Sequence, residues 1–166
     1  LGLSVNCGAF DYNLGCSGYI YGLALAKSFI SSGLASNVLL VTAEAYSKQL
    51  DSKDVTNRAI FGDGATTTFI DKEASLKIGE FNLGTDGSGA ENLIVASGGA
   101  RTQFVNDFSE EGKFHMNGPE VFKFTLDNVP LSINDCLIKN EIDKNEVDYF
   151  ILHQANKYML NNLRKK

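Results

Sequence analysis

Residues 9–18 read Ala9-Phe10-Asp11-Tyr12-Asn13-Leu14-Gly15-Cys16-Ser17-Gly18, a short extended run that gives way to small residues. A long apolar stretch, residues 19–30, follows at once, so the pattern predicts a strand that runs into a buried helix, with Cys16 at the corner. The same layout returns in residues 147–156, Val147-Asp148-Tyr149-Phe150-Ile151-Leu152-His153-Gln154-Ala155-Asn156, with His153 in the cysteine position. Two matching corners can project a nucleophile and a base into one cleft.

Composition excludes several classes of protein. The chain has 166 residues, of which 43% are hydrophobic and 21% charged, proportions typical of one folded domain. It contains no run of about 18 apolar residues, so no membrane span is predicted. A net charge of -5 argues against broad nucleic-acid binding. The three cysteines, Cys7, Cys16 and Cys136, lack metal-ligand spacing and leave an odd thiol, which favours a reducing, cytoplasmic location.

Both ends of the sequence read as truncated. It begins Leu1-Gly2-Leu3-Ser4, without an initiator Met or the basic region of a signal peptide. It stops at Leu163-Arg164-Lys165-Lys166, inside a predicted helix and without a Gly or Asn stop signal. We therefore expect further chain on both sides.

The rest of the chain alternates between strand and helix patterns. Residues 38–42 form an unbroken β-branched and leucine run, as expected of a central parallel strand. Further strands are predicted at 66–70, 76–83 and 92–96, a loop at 97–111, and a helix that begins at Pro119. This alternation predicts an α/β fold with mixed, mostly parallel sheets. The charged residues 71–73 mark a seam, and the repeated Asp-Tyr corner indicates two duplicated halves, residues 1–73 and 74–166.

Cys16 is the candidate nucleophile. A thiol must ionise before it attacks, and the unpaired N–H groups and macrodipole of a helix N-terminus favour the thiolate. The neighbours Gly15 and Gly18 leave room for a thioester and for backbone donors near its carbonyl oxygen, a layout suited to acyl transfer. The alternative is a small core residue, because free cysteine is among the most buried residue types. Cys136, in an amphipathic pattern, is interpreted as core.

His153 is the candidate base. It follows the apolar residues 150–152 at the end of a predicted strand, where doubly wound proteins place ligands. A neutral imidazole there can take a proton from a thiol or donate a hydrogen bond to a developing enolate, and the alternative is a hydrogen-bonded structural histidine. Asn156 is placed to face the same cleft from the first helical turn. Residues 61–65 predict a tight turn behind the cysteine, with Asp63 hydrogen-bonded to backbone.

Taken together, these segments resemble the β-ketoacyl-acyl carrier protein (ACP) synthase III branch of the thiolase superfamily. The matching stretches follow the family's order and are residues 9–18, 60–65, 86–88, 116–123 and 153–156. The resemblance implies a thiolase-like layered α/β fold and a homodimer. Residues 1–73 would be the later part of the N-terminal half and residues 74–166 the earlier part of the C-terminal half.

The resemblance also implies an acyltransferase of fatty acid biosynthesis that needs no metal or redox cofactor. Cys16 would take an acyl group from acyl-CoA or acyl-ACP and pass it to the carbanion made by decarboxylation of malonyl-ACP, while His153 stabilises the enolate. The implied CoA and pantetheine contacts are Met116, Gly118, Phe122, Ala155, Asn156 and Arg58. The helix after His153 is similar to one that docks the acidic carrier protein, through Lys157, Arg164, Lys165 and Lys166. A solvated helix end is the alternative for Lys165 and Lys166.

Two departures from the family pattern affect these expectations. The family's catalytic Asn and an oxyanion-hole glycine lie beyond its His, in a segment that this chain does not contain, so we expect the 166 residues alone to be inactive. Close relatives also read Asp-Arg before the Phe-Gly-Asp-Gly turn, whereas here Val55 follows Asp54 and Arg58 comes later. The acyl donor and its chain length therefore stay open.

Three other functions stay open at this point. The first is a sister condensing enzyme of secondary metabolism or of the hydroxymethylglutaryl-CoA synthase type, which differs in its acyl pocket. The second is a non-catalytic subunit that retains the fold. The third is a cysteine hydrolase, which the lack of an orienting acid near His153 in the sequence disfavours.

Overall fold

The computed structural model describes residues 2–97 and 112–166. The helices are α1 (Gly18–Ser31), α2 (Val55–Arg58), α3 (Gly118–Lys139) and α4 (Lys157–Leu163), and the strands are β1 (Asn37–Ala45), β2 (Asp63–Asp71), β3 (Leu93–Val95) and β4 (Phe114–Met116). Short 3-10 turns lie at Tyr46–Lys48, Gly87–Asn92 and Lys144–Glu146. The strands predicted at 38–42, 66–70 and 92–96 and the helix at Pro119 are confirmed. Residues 98–111 of the predicted loop lie outside the described residues.

Both strand pairs of the described residues are antiparallel, which corrects the expectation of mostly parallel sheets. β1 pairs with β2 over its whole length, with Leu40 opposite Thr68, and β3 pairs with β4. An apolar run such as 38–42 predicts a strand that can be covered on both faces, but it carries no information on the direction of the neighbouring strand. Segments 76–83 and 147–152, also predicted as strands, pair with no strand in the described part of the chain.

Small residues let α1 pack closely on β1. Gly18, Gly22 and Ala26 are the buried positions of the helix, and their spacing of four places them in one stripe. A Cβ on Gly22 would lie 2.6 Å from Leu40 Cδ1, and Leu40 is itself buried. Glycine at position 22 is therefore needed for the close approach of α1 to the sheet.

The second part of the chain is built on α3. Pro119 occupies the first turn of the helix, where its missing N–H leaves no hydrogen bond unmade. After the last turn, Asn140 accepts a hydrogen bond from Glu80 N at 2.7 Å and donates one to Glu80 O at 3.0 Å. Lys27 of α1 forms an ion pair with the Glu80 carboxylate at 2.6 Å. The extended segment around Glu80 is thus held by both α1 and the end of α3.

The core of the described residues is small. Ala26, Leu40 and Met159 are its buried apolar side chains, whereas Leu76 and Ile151 are 88% and 92% exposed. The apolar faces of the unpaired extended segments are therefore uncovered. None of the helices described here combines the length and the apolar character that a membrane span requires.

Candidate active site

Cys16 lies in the turn that opens α1. Gly18 N donates to Gly15 O at 2.7 Å, which closes the turn around Cys16. Tyr12 Oη donates to Gly18 O at 2.7 Å and so ties the residues before the turn to the helix. Cys16 is exposed as a residue while its thiol is partly covered, so it is not a fully buried core side chain. Cys16 directly precedes Ser17, the N-cap of α1, and so lies near the positive end of the helix dipole, where a thiolate is favoured.

His153 lies between the extended segment 147–152 and α4. Ala155 N donates to His153 O at 3.0 Å, which turns the chain after the histidine. Asn156 then caps α4, since its Oδ1 accepts a hydrogen bond from Met159 N at 2.8 Å. The side-chain oxygen of Asn156 is therefore used to begin the helix that follows His153, and a role of Asn156 in the cleft stays a prediction.

Cys16 and His153 are close enough to change each other's ionisation. The His153 imidazole, mainly through hydrogen bonding, lowers the pKa of the Cys16 thiol against the opposing effect of burial. The same interaction raises the pKa of His153 above its ordinary value. Both shifts favour a thiolate beside an imidazolium. The distance and angles between the two side chains do not yet meet those of a fully formed hydrogen bond. Catalytic contacts of this kind often tighten only when substrate binds.

Glu44 in β1 and Tyr46 directly after it lie near enough to Cys16 to interact with it electrostatically, and no sequence motif marks either residue. The Glu44 carboxylate opposes the lowering of the Cys16 pKa that His153 causes. Burial and then the charge on Cys16 raise the pKa of Tyr46. The signal that could have found both residues is their position at the carboxyl end of a predicted strand. Among the residues that the structure describes, Cys16 and burial shift the pKa of His153, and no carboxylate among them does.

Residues 61–65, predicted as a tight turn, instead lead straight into β2, and Asp63 at the start of this strand holds the segment that follows β1. The Asp63 carboxylate accepts hydrogen bonds from Ser47 N at 2.8 Å and from Ser47 Oγ at 2.6 Å. These two bonds lower the pKa of the Asp63 carboxyl. The prediction that Asp63 bonds to backbone is confirmed. Because Ser47 directly follows Tyr46, its hydrogen bonds to Asp63 fix the backbone that carries Tyr46.

The residues predicted to contact CoA and pantetheine lie on four elements or their ends. They are Arg58 at the end of α2, Met116 in β4, Gly118 and Phe122 in the first turns of α3, and Ala155 and Asn156 just before α4. Phe122 stacks on Tyr158 of α4 with ring centroids 5.3 Å apart. This contact brings the start of α3 to the helix that follows His153. Substrate binding by these residues stays a prediction.

The residues predicted to dock a carrier protein are exposed on and after α4. They are Lys157, Arg164, Lys165 and Lys166. Arg164 and Lys166 also border an apolar groove of about 790 Å³ between α3, residues 150–154 and α4. Their docking role stays a prediction. Within residues 2–97 and 112–166, no group of three or more His, Cys, Asp or Glu side chains is placed to hold a metal ion.

Comparison with known sequences finds similarity to one family. The family profile described as 3-oxoacyl-[acyl-carrier-protein (ACP)] synthase III matches residues 10–87. The β-ketoacyl-[acyl-carrier-protein] synthase III of Lactococcus lactis subsp. lactis (strain IL1403) is 36% identical over 165 residues, and that of Caldanaerobacter subterraneus subsp. tengcongensis is 35% identical over 166. Each alignment covers 98% of this chain and 50% of the relative. The chain thus spans about half the length of the curated relatives that it matches.

Comparison with solved structures agrees. A crystal structure of 3-oxoacyl-(acyl-carrier-protein) synthase III has a TM-score of 0.92 at 43% identity, over 99% of this chain and 53% of that one. The priming β-ketosynthase from the R1128 polyketide biosynthetic pathway has a TM-score of 0.85 at 28% identity, over 97% and 48% of the two chains. These similarities confirm the thiolase-like α/β fold, and over nearly its whole length the chain is similar to members of the 3-oxoacyl-[acyl-carrier-protein] synthase III family.

Proposed function

We propose that the protein is an acyltransferase of the β-ketoacyl-ACP synthase III type, which condenses an acyl thioester with malonyl-ACP in fatty acid biosynthesis. One observation carries the proposal: the Cys16 thiol lies at the start of α1 beside His153, and each group shifts the pKa of the other toward a thiolate and an imidazolium. The names of the relatives and of the solved structures support the same reaction.

In the first step, the Cys16 thiolate attacks the carbonyl carbon of the acyl thioester. The bond between that carbon and the donor sulfur breaks, so the acyl group is left on Cys16. The departing thiolate takes a proton from the His153 imidazolium, which becomes a neutral imidazole. The positive end of α1 stabilises negative charge near Cys16 during this step.

In the second step, malonyl-ACP loses carbon dioxide and forms a thioester enolate. The neutral His153 imidazole donates a hydrogen bond to the enolate oxygen. The enolate carbon attacks the acyl carbonyl on Cys16, and the bond to the Cys16 sulfur breaks. The thiolate is thereby regenerated, and His153 takes a proton from solvent to restore the starting pair.

The remaining assignments follow from the family resemblance. The pantetheine arm would lie along Met116, Gly118, Phe122, Ala155 and Asn156, with Arg58 toward CoA. The basic residues of α4 would dock the acidic carrier protein. We also propose a cytoplasmic homodimer without metal or redox cofactor, with residues 1–73 and 74–166 as parts of two duplicated halves. The contact of Phe122 with Tyr158 supports a shared wall of α3 and α4.

Mass spectrometry of the intact gene product with an acyl-CoA or acyl-ACP tests the proposal. We expect one acyl group on Cys16, no adduct in Cys16→Ala, and an unchanged adduct in the matched control Cys7→Ser, which alters another exposed thiol. His153→Ala should keep much of the acylation and lose condensation with malonyl-ACP. Equal loss of both steps would contradict the division of labour, and no adduct on Cys16 would favour a non-catalytic subunit.

A second candidate is a sister condensing enzyme of secondary metabolism. The similarity to the R1128 priming β-ketosynthase favours it, since that structure covers 97% of this chain. A panel of acyl donors and malonyl thioesters separates the two functions. Condensation of acyl donors with malonyl-ACP to straight-chain products supports fatty acid biosynthesis, and a requirement for another extender or donor supports the sister enzyme.

A further inference from the structure

Tyr46 has a hydroxyl group that forms no hydrogen bond within residues 2–97 and 112–166. Other tyrosines near the start of α1 use theirs: Tyr12 Oη donates to Gly18 O at 2.7 Å, and Tyr19 Oη is 3.3 Å from Thr68 Oγ1. The polar end of Tyr46 is therefore available to a bound molecule.

The ring that carries this hydroxyl is held on two sides. Phe61 stacks on the Tyr46 ring with centroids 5.2 Å apart and an interplanar angle of 29°. Phe114 meets the same ring edge-on, at 5.8 Å and 90°. The hydrogen bonds from Ser47 to Asp63 fix the adjoining backbone. The hydroxyl is thus held in one place before any ligand binds, which lowers the entropy cost of a hydrogen bond to it.

The hydroxyl faces the turn that presents the catalytic sulfur. Tyr46 Oη lies 3.9 Å from the position that a Cβ on Gly15 would take, and Gly15 precedes Cys16. Burial and the charge on Cys16 raise the pKa of Tyr46, so the phenol stays a neutral O–H donor. The sulfur and the hydroxyl interact through charge and form no hydrogen bond with each other, so the space between them is open to a bound group. The first carbons of an acyl chain on Cys16 would occupy that space.

An alkyl chain in this space would displace water from the Tyr46 hydroxyl without providing a hydrogen-bond acceptor to replace it. Covering an unpaired polar group is unfavourable, whereas an oxygen on the chain replaces the lost water. We propose that the Tyr46 hydroxyl, held by Phe61 and Phe114 beside the Cys16 turn, makes the acyl site selective for short acyl groups with an oxygen substituent, such as 3-hydroxyacyl groups. This inference rests on the proposed acyl transfer to Cys16 and names its substrate class.

A competition experiment on the intact gene product tests the inference. Equal concentrations of the N-acetylcysteamine thioesters of 3-hydroxybutyrate and butyrate are offered together, and the two adducts on the Cys16 peptide are counted by mass spectrometry. We expect the hydroxybutyryl adduct to exceed the butyryl adduct about tenfold, because sites that hydrogen-bond a substrate hydroxyl discriminate strongly. Tyr46→Phe, which keeps the ring and its contacts, should bring the ratio close to one. The matched control Tyr19→Phe, whose hydroxyl lies by Thr68, should keep the wild-type ratio.

Two kinds of outcome would overturn the inference, and only the second would also refute the proposed acyl transfer to Cys16. Equal adducts in the wild type, or an unchanged ratio in Tyr46→Phe, would refute the role of Tyr46 and leave acyl transfer to Cys16 standing. No adduct from either donor, in a sample where iodoacetamide still reaches Cys16, would refute the proposed acyl transfer and this inference with it.

Discussion

Replacing Gly22 with Ala tests the packing that positions Cys16. An alanine Cβ would lie 2.6 and 2.9 Å from the two Cδ atoms of Leu40, and it would also meet Tyr12 Oη. The Tyr12 phenol ends an exposed side chain and can move aside, whereas Leu40 is only 8% exposed beneath α1. The substitution therefore forces either Leu40 or the helix itself to move.

The expected loss of stability is the balance of three contributions. Overpacking of a core position costs about 1–3 kcal/mol. Displacing Tyr12 breaks its hydrogen bond to Gly18 O, which adds about 1 kcal/mol, and alanine in place of glycine inside a helix returns about 1 kcal/mol. We therefore expect the free energy of unfolding to fall by about 1–3 kcal/mol. With a urea dependence of roughly 2 kcal/mol per M, the unfolding midpoint falls by roughly 0.5–1.5 M.

Urea unfolding of the intact gene product, followed by circular dichroism, measures this change. Gly18→Ala is the matched control in the same helix, because its Cβ would meet Leu14 Cβ at 3.8 Å, an ordinary contact. Adding Leu40→Val to Gly22→Ala shortens the crowded side chain and should recover part of the loss, which a double-mutant cycle detects as favourable coupling. A Gly22→Ala protein as stable as the wild type, or a cycle without coupling, would refute the packing argument.

Two asparagine substitutions test how the segments near the site are held. Asn156→Ala removes the cap of α4 and should lower the free energy of unfolding in urea by about 1 kcal/mol. Asn156→Asp keeps an acceptor for Met159 N and should cost less. Equal losses of stability in the two variants would contradict the capping role. Asn140→Ala removes the hydrogen bonds to both backbone groups of Glu80, so it should cost about 1–3 kcal/mol and speed amide exchange at Glu80, and an unchanged exchange rate would show that Asn140 does not hold this segment.

The sequence predicts the elements of this fold better than their pairing. The apolar runs at 38–42 and 66–70 and the Pro119 signal predict β1, β2 and α3 because burial and backbone restriction act locally. The antiparallel direction of β1 and β2 depends on contacts between distant residues, which periodicity does not encode. The same limit explains why 76–83 and 147–152, although extended, have no strand partner in the described residues.

The candidate site divides in the same way. Cys16 and His153 were predictable because each follows a strand-like run and precedes a helix, so local pattern alone marks both. Tyr46 and Glu44 were missed because their proximity to Cys16 comes from the packing of α1 on β1 and from the hold of Asp63 on Ser47. A tyrosine at the end of a strand has no sequence motif of its own, and its functional role can be inferred only from the residues that the fold places beside it.

The pH dependence of Cys16 alkylation tests the central claim, that His153 holds the Cys16 sulfur as a thiolate. Only the thiolate reacts with iodoacetamide, so the rate rises through the thiol pKa and then levels off. Because His153 lowers the pKa of Cys16, the Cys16 peptide should reach its plateau at lower pH in the wild type than in His153→Ala, with the exposed Cys7 of the same chain as internal reference. Identical Cys16 profiles in the wild type and His153→Ala would contradict the account.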